Sequence, residues 1–187
     1  WTLWAYNSND YYTNVSTWSI TVEYDNSTPS DPPVIPGTEY TGSTFELAGS
    51  SVTTDTLNVP DNGTITDINV TISGTTNDLY YINFKLISPY GTTVDLVTSS
   101  DWSGNTFSST TFDDEASISI ANGSVPYFGS FQPMGNLSDF DQEEMQGEWT
   151  LWAYNSNDYY TNVSTWSITV EYDNSTPSDP PVIPGTE

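Results

Sequence analysis

The sequence contains no cysteine, no histidine, no arginine and a single lysine, Lys85, against 25 Asp and Glu, for a formal net charge of −24. Each absence excludes something. Without Lys/Arg patches there is nothing to neutralise phosphates, so nucleic-acid binding is out. Adsorption to an anionic membrane surface is out for the same reason. Without His or Cys, neither a Ser-His-Asp nor a Cys-His nucleophilic site can be assembled, and zinc ligation in its usual forms fails. One lysine cannot make a cationic clamp for phosphoryl transfer. Charged residues are only 14% of the chain, against roughly 25% in an ordinary domain. The imbalance therefore reflects missing bases, not surplus acids. Lack of Cys removes disulfide staples without placing the protein inside a cell.

What is present is aromatic and β-forming. Seven Trp, 13 Tyr and seven Phe bury enough area each to close a core that is modest in aliphatics. Ile68, Val70 and Ile72 alternate with Asn69 and Thr71. The same period of two runs through Tyr80–Ile87, Val94–Leu96, Ser117–Ile120, Trp149–Trp152 and Trp166–Glu171. Short Gly/Pro/Asn breaks separate these runs, and no helical period appears. The pattern predicts an all-β, jelly-roll-like sandwich.

Residues 1–39 and 149–187 are identical at all 39 positions, an offset of 148 residues. Periodicity of domain size marks an array. Residues 1–25 read as the C-terminal strands of a preceding copy, 26–39 as a Pro/Ser/Thr-rich linker, 40–173 as the β-sandwich and 174–187 as the linker to the next copy. The sequence opens inside a strand pattern, without initiator Met, signal peptide or hydrophobic span, and so reads as a slice of a longer repetitive polymer. A simple tandem duplication is the alternative. Pro29, Pro32, Pro33 and Pro36 favour an extended polyproline II spacer. Alternatively Val34 and Ile35, repeated as Val182 and Ile183, dock on the neighbouring domain and set the angle between copies.

Several segments resemble a known family. Phe84–Val97, with Leu86-Ile87-Ser88-Pro89-Tyr90-Gly91-Thr92, is similar to the "LISPSGT" hairpin of the P domain (Homo B domain) that follows the catalytic domain in subtilisin-like proprotein convertases. Thr111–Ala116 resembles its "TFDDEA" segment, Gly129–Pro133 its "GSFRP" and Leu137–Phe140 its "LSAF". Gly147–Leu151 followed by Trp166-Ser167-Ile168 resembles its closing strands. The likeness runs in order over about residues 52–173. It implies a jelly-roll-like sandwich in an extracellular setting, and a domain that is not itself catalytic. Two departures stand out: the family's "DGDL" turn appears as Asn77-Asp78-Leu79, and the closing loop is Asn155–Tyr160 in place of a Gly-rich stretch.

Candidate chemistry is sparse. Asp113, Asp114 and Glu115, with Asp78, supply hard oxygen donors suited to Ca²⁺; a solvated loop, or Asp side chains capping backbone N–H groups, is the competing reading. Asp139, Asp141, Glu143 and Glu144 read as a solvated loop. No carboxylate spacing selects a glycosidase pair. N-glycosylation sequons occur at Asn14, Asn26, Asn62, Asn69, Asn122, Asn136, Asn162 and Asn174. Asn69 is expected on the outward face of a strand, and Asn62, Asn122, Asn136 and Asn162 in loops. In the two linkers Ser27, Thr28, Ser30, Thr38, Ser175, Thr176, Ser178 and Thr186 are O-glycan candidates. Trp149 and Trp166 read as core. Trp152, Tyr159 and Tyr160 read as outward, available to a sugar, a neighbouring domain or a second packing layer.

From sequence alone, the leading expectation is a non-catalytic structural subunit of an extracellular fibre or surface array. Copies of the chain would be its partners, head to tail, with covalent glycans and Ca²⁺ as its non-protein groups, and it would not insert in a membrane. The alternative is an accessory binding or stabilising P domain of a larger secreted protease or hydrolase.

Overall fold

A computed structural model describes residues 34–174. The strands are β1 (Val34–Thr41), β2 (Phe45–Leu47), β3 (Ser51–Val59), β4 (Thr64–Thr76), β5 (Ile82–Ile87), β6 (Thr93–Val97), β7 (Thr106–Phe112), β8 (Gly129–Phe131), β9 (Gly147–Asn155) and β10 (Thr161–Asp173). They form two sheets. Sheet A runs β1-β10-β4-β7-β8, with β2 also on β10; sheet B runs β3-β9-β5-β6. All pairings are antiparallel except β7 with β8. This is the all-β, jelly-roll-like sandwich that the alternation predicts.

The period of two sorts each strand into a buried and a solvated face. Ile68, Val70 and Ile72 of β4, Trp149, Leu151 and Ala153 of β9, and Trp166, Ile168 and Val170 of β10 all point inward and are almost wholly buried. Aromatic rings stiffen the interior. Trp102 packs on Phe84, Phe107 and Tyr127 at centroid separations of 5.9, 5.6 and 5.8 Å. Buried indoles find acceptors, as burial of a polar N–H requires: Trp102 Nε1 donates to the Ile82 carbonyl at 3.0 Å and Trp149 Nε1 to that of Met145 at 2.9 Å. Trp166 of sheet A donates to Asp55 of β3 in sheet B at 2.7 Å, a polar pin between the layers. Gly42 lies against that indole, where a Cβ would meet ring atoms at 2.1 Å. Gly74 sits at the β4 register shift, where a Cβ would lie 2.2 Å from the Asn162 carbonyl oxygen.

Two expectations change. The segment from Val34 to Thr38, read as linker, is part of β1: it pairs Val34 with Asp173, Ile35 with Tyr172 and Thr38 with Val170. Pro36 and Gly37 fall in the register shift between Ile35 and Thr38, where a residue without an N–H is tolerated. The sandwich therefore starts six residues before position 40, and the Val34-Ile35 backbone pairs within its own domain. Val182 and Ile183 lie outside the described residues. The expected strand at Ser117–Ile120 is instead an isolated bridge, Ser119 with Gln132, leading into a single 3-10 turn at Ile120–Asn122. Ser119 Oγ accepts from the Ala121 N–H at 3.4 Å, a local bond that competes with strand pairing.

Candidate functional site

Four carboxylates, those of Asp67, Asp113, Glu115 and Glu171, gather on the outer face of sheet A. Alternation along β4 turns Asp67 and Asn69 outward, and the β10 register sets Glu171 directly beside Asp67. β7 ends at Phe112, and the turn that follows carries Asp113 to Glu115 to the same face. Together Thr66, Asp67, Asn69, Asp113, Glu115 and Glu171 line an open depression of about 400 Å³. Lys85, the one base, lies on the other sheet. Desolvation, then repulsion from Glu115, Glu171 and Asp113, pushes the Asp67 carboxyl up to about 6. Glu115 is raised too, first by desolvation and then by its acidic neighbours, Asp113 before Asp114. The Asn69 amide donates to Asp67 at 3.0 Å, and its carbonyl oxygen has no partner.

The four residues expected to share Ca²⁺ do not share a site. Asp78 follows the Thr76 end of β4, next to Thr106 at the start of β7, whereas Asp113 follows Phe112 at the far end of β7. Seven strand residues separate them, about 20 Å. Asp78 caps a 3-10 turn by accepting from the Tyr80 N–H at 3.1 Å. Asp113 accepts from the Glu115 N–H at 2.8 Å, and Asp114 from the N–H groups of Leu137 and Ser138 at 3.0 and 2.9 Å. Backbone capping, the competing reading of this cluster, accounts for three of the four. Among the described residues no group of three or more acidic side chains is arranged to hold a metal ion.

In the second acidic run, Asp139, Asp141 and Glu144 are exposed. Glu143 departs from the solvated loop expected of it. It is half-buried, bridges to β4 by accepting the Ile65 N–H on its carbonyl at 2.9 Å, and accepts the Thr92 hydroxyl on its carboxylate. Desolvation, then Asp114, raises Asp141.

On the outer face of sheet B, Lys85 lies between its cross-strand partners Asp95 and Trp152. Its ammonium is 2.9 Å from Asp95 and 5.4 Å from the Trp152 ring centroid. Trp152, outward as expected, thus packs beside lysine and Tyr154. Only strand register could reveal this trio, since 67 residues separate Lys85 from Trp152. Tyr159 and Tyr160 are exposed, at 55% and 70%.

The sequons separate by placement. Asn62, Asn122, Asn136 and Asn174 are exposed outside the strands, Asn122 on the 3-10 turn rather than in a plain loop. Asn162, expected in a loop, is exposed but lies within β10, between Glu46 and Thr75. Asn69 faces outward as expected, yet is half-buried with its amide engaged. Thr38 belongs to β1 and is half-buried. Asn14, Asn26, Ser27, Thr28, Ser30, Ser175, Thr176, Ser178 and Thr186 lie outside the described residues.

No curated protein matches the chain. Similar solved structures include a serine protease of Aeromonas sobria in complex with a chaperone, at 17% identity and a TM-score of 0.49, covering 79% of this chain and 28% of that one. The Aeromonas sobria serine protease alone is similar at 16% identity and a TM-score of 0.44, covering 76% and 28%. The chain thus spans 28% of the length of these proteases. A model of the proprotein convertase P-domain family matches residues 65–170, from the second residue of β4 almost to the end of β10. That is more than half of the 187 residues, and the chain belongs to the proprotein convertase P-domain family.

Proposed function

We propose that this domain is a non-catalytic accessory module of a larger secreted protease or related hydrolase, stabilising or positioning its partner domain. The observation that carries this reading is the family match over residues 65–170. Composition supports it: without His, Cys or Arg, the chain offers neither a Ser-His-Asp nor a Cys-His nucleophilic site and no arginine clamp for phosphoryl transfer. The accessory role, second to the fibre in the sequence reading, is therefore favoured.

The exact duplication of 39 residues favours a second reading, an extracellular array of head-to-tail copies carrying glycans. The two readings separate on native material. Peptide mapping of the intact parent polypeptide, with fluorophosphonate labelling of any active serine, is expected to find a labelled catalytic domain on the same chain. An unlabelled polypeptide made only of repeated copies, seen as filaments by electron microscopy, would replace the accessory reading with the array.

A further inference from the structure

A row of polar side chains crosses the outer face of sheet A, eight residues along β4 from Asp67. Strand register sets it: Glu46 of β2 is paired with Asn162 of β10, Asn162 with Thr75 of β4, and Thr75 with Thr106 of β7. Directly opposite residues share a face, with Cβ atoms about 5 Å apart. Tyr160 stands two residues before Asn162 and is 70% exposed. This row and Tyr160 line an open depression of about 370 Å³, to which Asn77 and Asn105 add two carboxamides. That is the size of a small-ligand site. None of the lining residues is basic, so nothing there attracts an anion. Amides, hydroxyls and one carboxylate beside an exposed ring suit an uncharged polyhydroxy ligand, with hydroxyls for the polar row and an apolar C–H face for the tyrosine.

A candidate occupant is written into the wall itself. Asn162-Val163-Ser164 is an N-glycosylation sequon. Asn162 is exposed, between buried Thr161 and Val163. Among the described sequons no other has an exposed aromatic two residues before its Asn. Those positions hold Pro60, Asp67, Ile120, Met134 and Tyr172, and Tyr172 is only 8% exposed.

We propose that Asn162 carries an N-linked glycan that lies in this depression, its first sugar stacked on Tyr160 and its hydroxyls bonded to the Glu46–Thr75–Thr106 row. In the transfer, Asn162 Nδ2 bonds to C1 of a sugar supplied as a lipid diphosphate ester. The C1–O bond breaks, the lipid diphosphate leaves with its electron pair, and one amide proton is released to the transferase. In the folded sheet the Ser164 hydroxyl donates to the Ser73 carbonyl at 3.1 Å, so the sequon is read before β10 pairs with β4. The attached sugar then covers polar surface that the sheet leaves open. This inference stands whether or not the parent protein is a protease.

Site-localised mass spectrometry of native full-length material tests occupancy. Met134 and Met145 are the only methionines, so the cyanogen bromide fragment starting at Gln146 separates Asn162 from its sequence counterpart Asn14. Asn162 is expected to be glycosylated; an unmodified Asn162 overturns the proposal. Stacking is tested on full-length chains secreted from a glycosylating host. N162Q is expected to raise the unfolding equilibrium constant in urea about fivefold when Tyr160 or Y160F is present, and to leave it unchanged in a Y160A chain. The same loss with and without the ring overturns the seat, even if Asn162 is glycosylated. Should Y160A not fold, proton NMR of the glycosylated wild type decides. First-sugar C–H resonances are expected to be displaced upfield by the tyrosine ring in the folded chain and to return in urea; resonances that do not move overturn the stacking.

Discussion

The depression on sheet A makes a signed prediction about pH. In the unfolded chain Asp67 ionises near 3.8, and in the folded domain near 6. A raised folded-state value means that the native state holds its proton more tightly. Below about pH 3.8 the group is protonated in both states and has no effect. Between 3.8 and 6 the unfolded state loses its proton first, and stability falls as pH rises. Above 6 the full penalty is present. Unscreened, that interval is worth about 3 kcal/mol. The depression is open to water, so ~1 kcal/mol is the working figure. Asp67→Asn keeps an acceptor for the Asn69 amide and removes the charge opposed by Glu115, Glu171 and Asp113. Melting of the full-length chain, followed by near-UV circular dichroism, is expected to show the variant about 4 °C above wild type at pH 7.5. At pH 3.5 the two should coincide. A variant no more stable than wild type at pH 7.5, or one equally stabilised at both pH values, would refute the account.

Three further outcomes follow. Lys85, held within β5 by Asp95 and Trp152, should resist trypsin in the native domain and be cut only after unfolding; native cleavage at a rate matching the denatured chain would contradict this. Asp114→Ala strips two acceptor bonds from the Leu137–Phe140 turn, and urea denaturation should show a loss of about 1–2 kcal/mol; an unchanged midpoint would deny that this carboxylate is a cap. Intact-glycopeptide mass spectrometry of native material should find glycans at Asn62, Asn122 and Asn136 before Asn69, whose amide is already bonded; an occupied Asn69 beside empty exposed sites would reverse that ranking.

Much of the fold was legible because a two-layer sandwich imposes a period of two on every strand. Ile68, Val70, Ile72, Trp149, Leu151, Trp166 and Ile168 could be assigned to the interior from alternation alone. β1 was not legible: Pro36 and the prolines before the strand read as a spacer, and only a partner with a register shift at Pro36-Gly37 makes a strand of it. The Ser117–Ile120 alternation misled because a serine can satisfy a backbone N–H locally and end a strand that periodicity alone would continue. Site chemistry was harder still. Asp113, Asp114 and Glu115 are neighbours in sequence, yet one carboxylate reaches the Leu137 turn while two turn toward Asp67 and Glu171. Those last two come from strands 104 residues apart. Sequence by itself determined the charge, the excluded chemistries, the inward faces, the exact 39-residue duplication and the family resemblance, since each is a property of residue identity or spacing. Tertiary structure alone decided which acids face each other, what covers Trp152, and that Asp173 ends beside Val34. Those are consequences of strand register, which is set by packing between segments far apart in the chain.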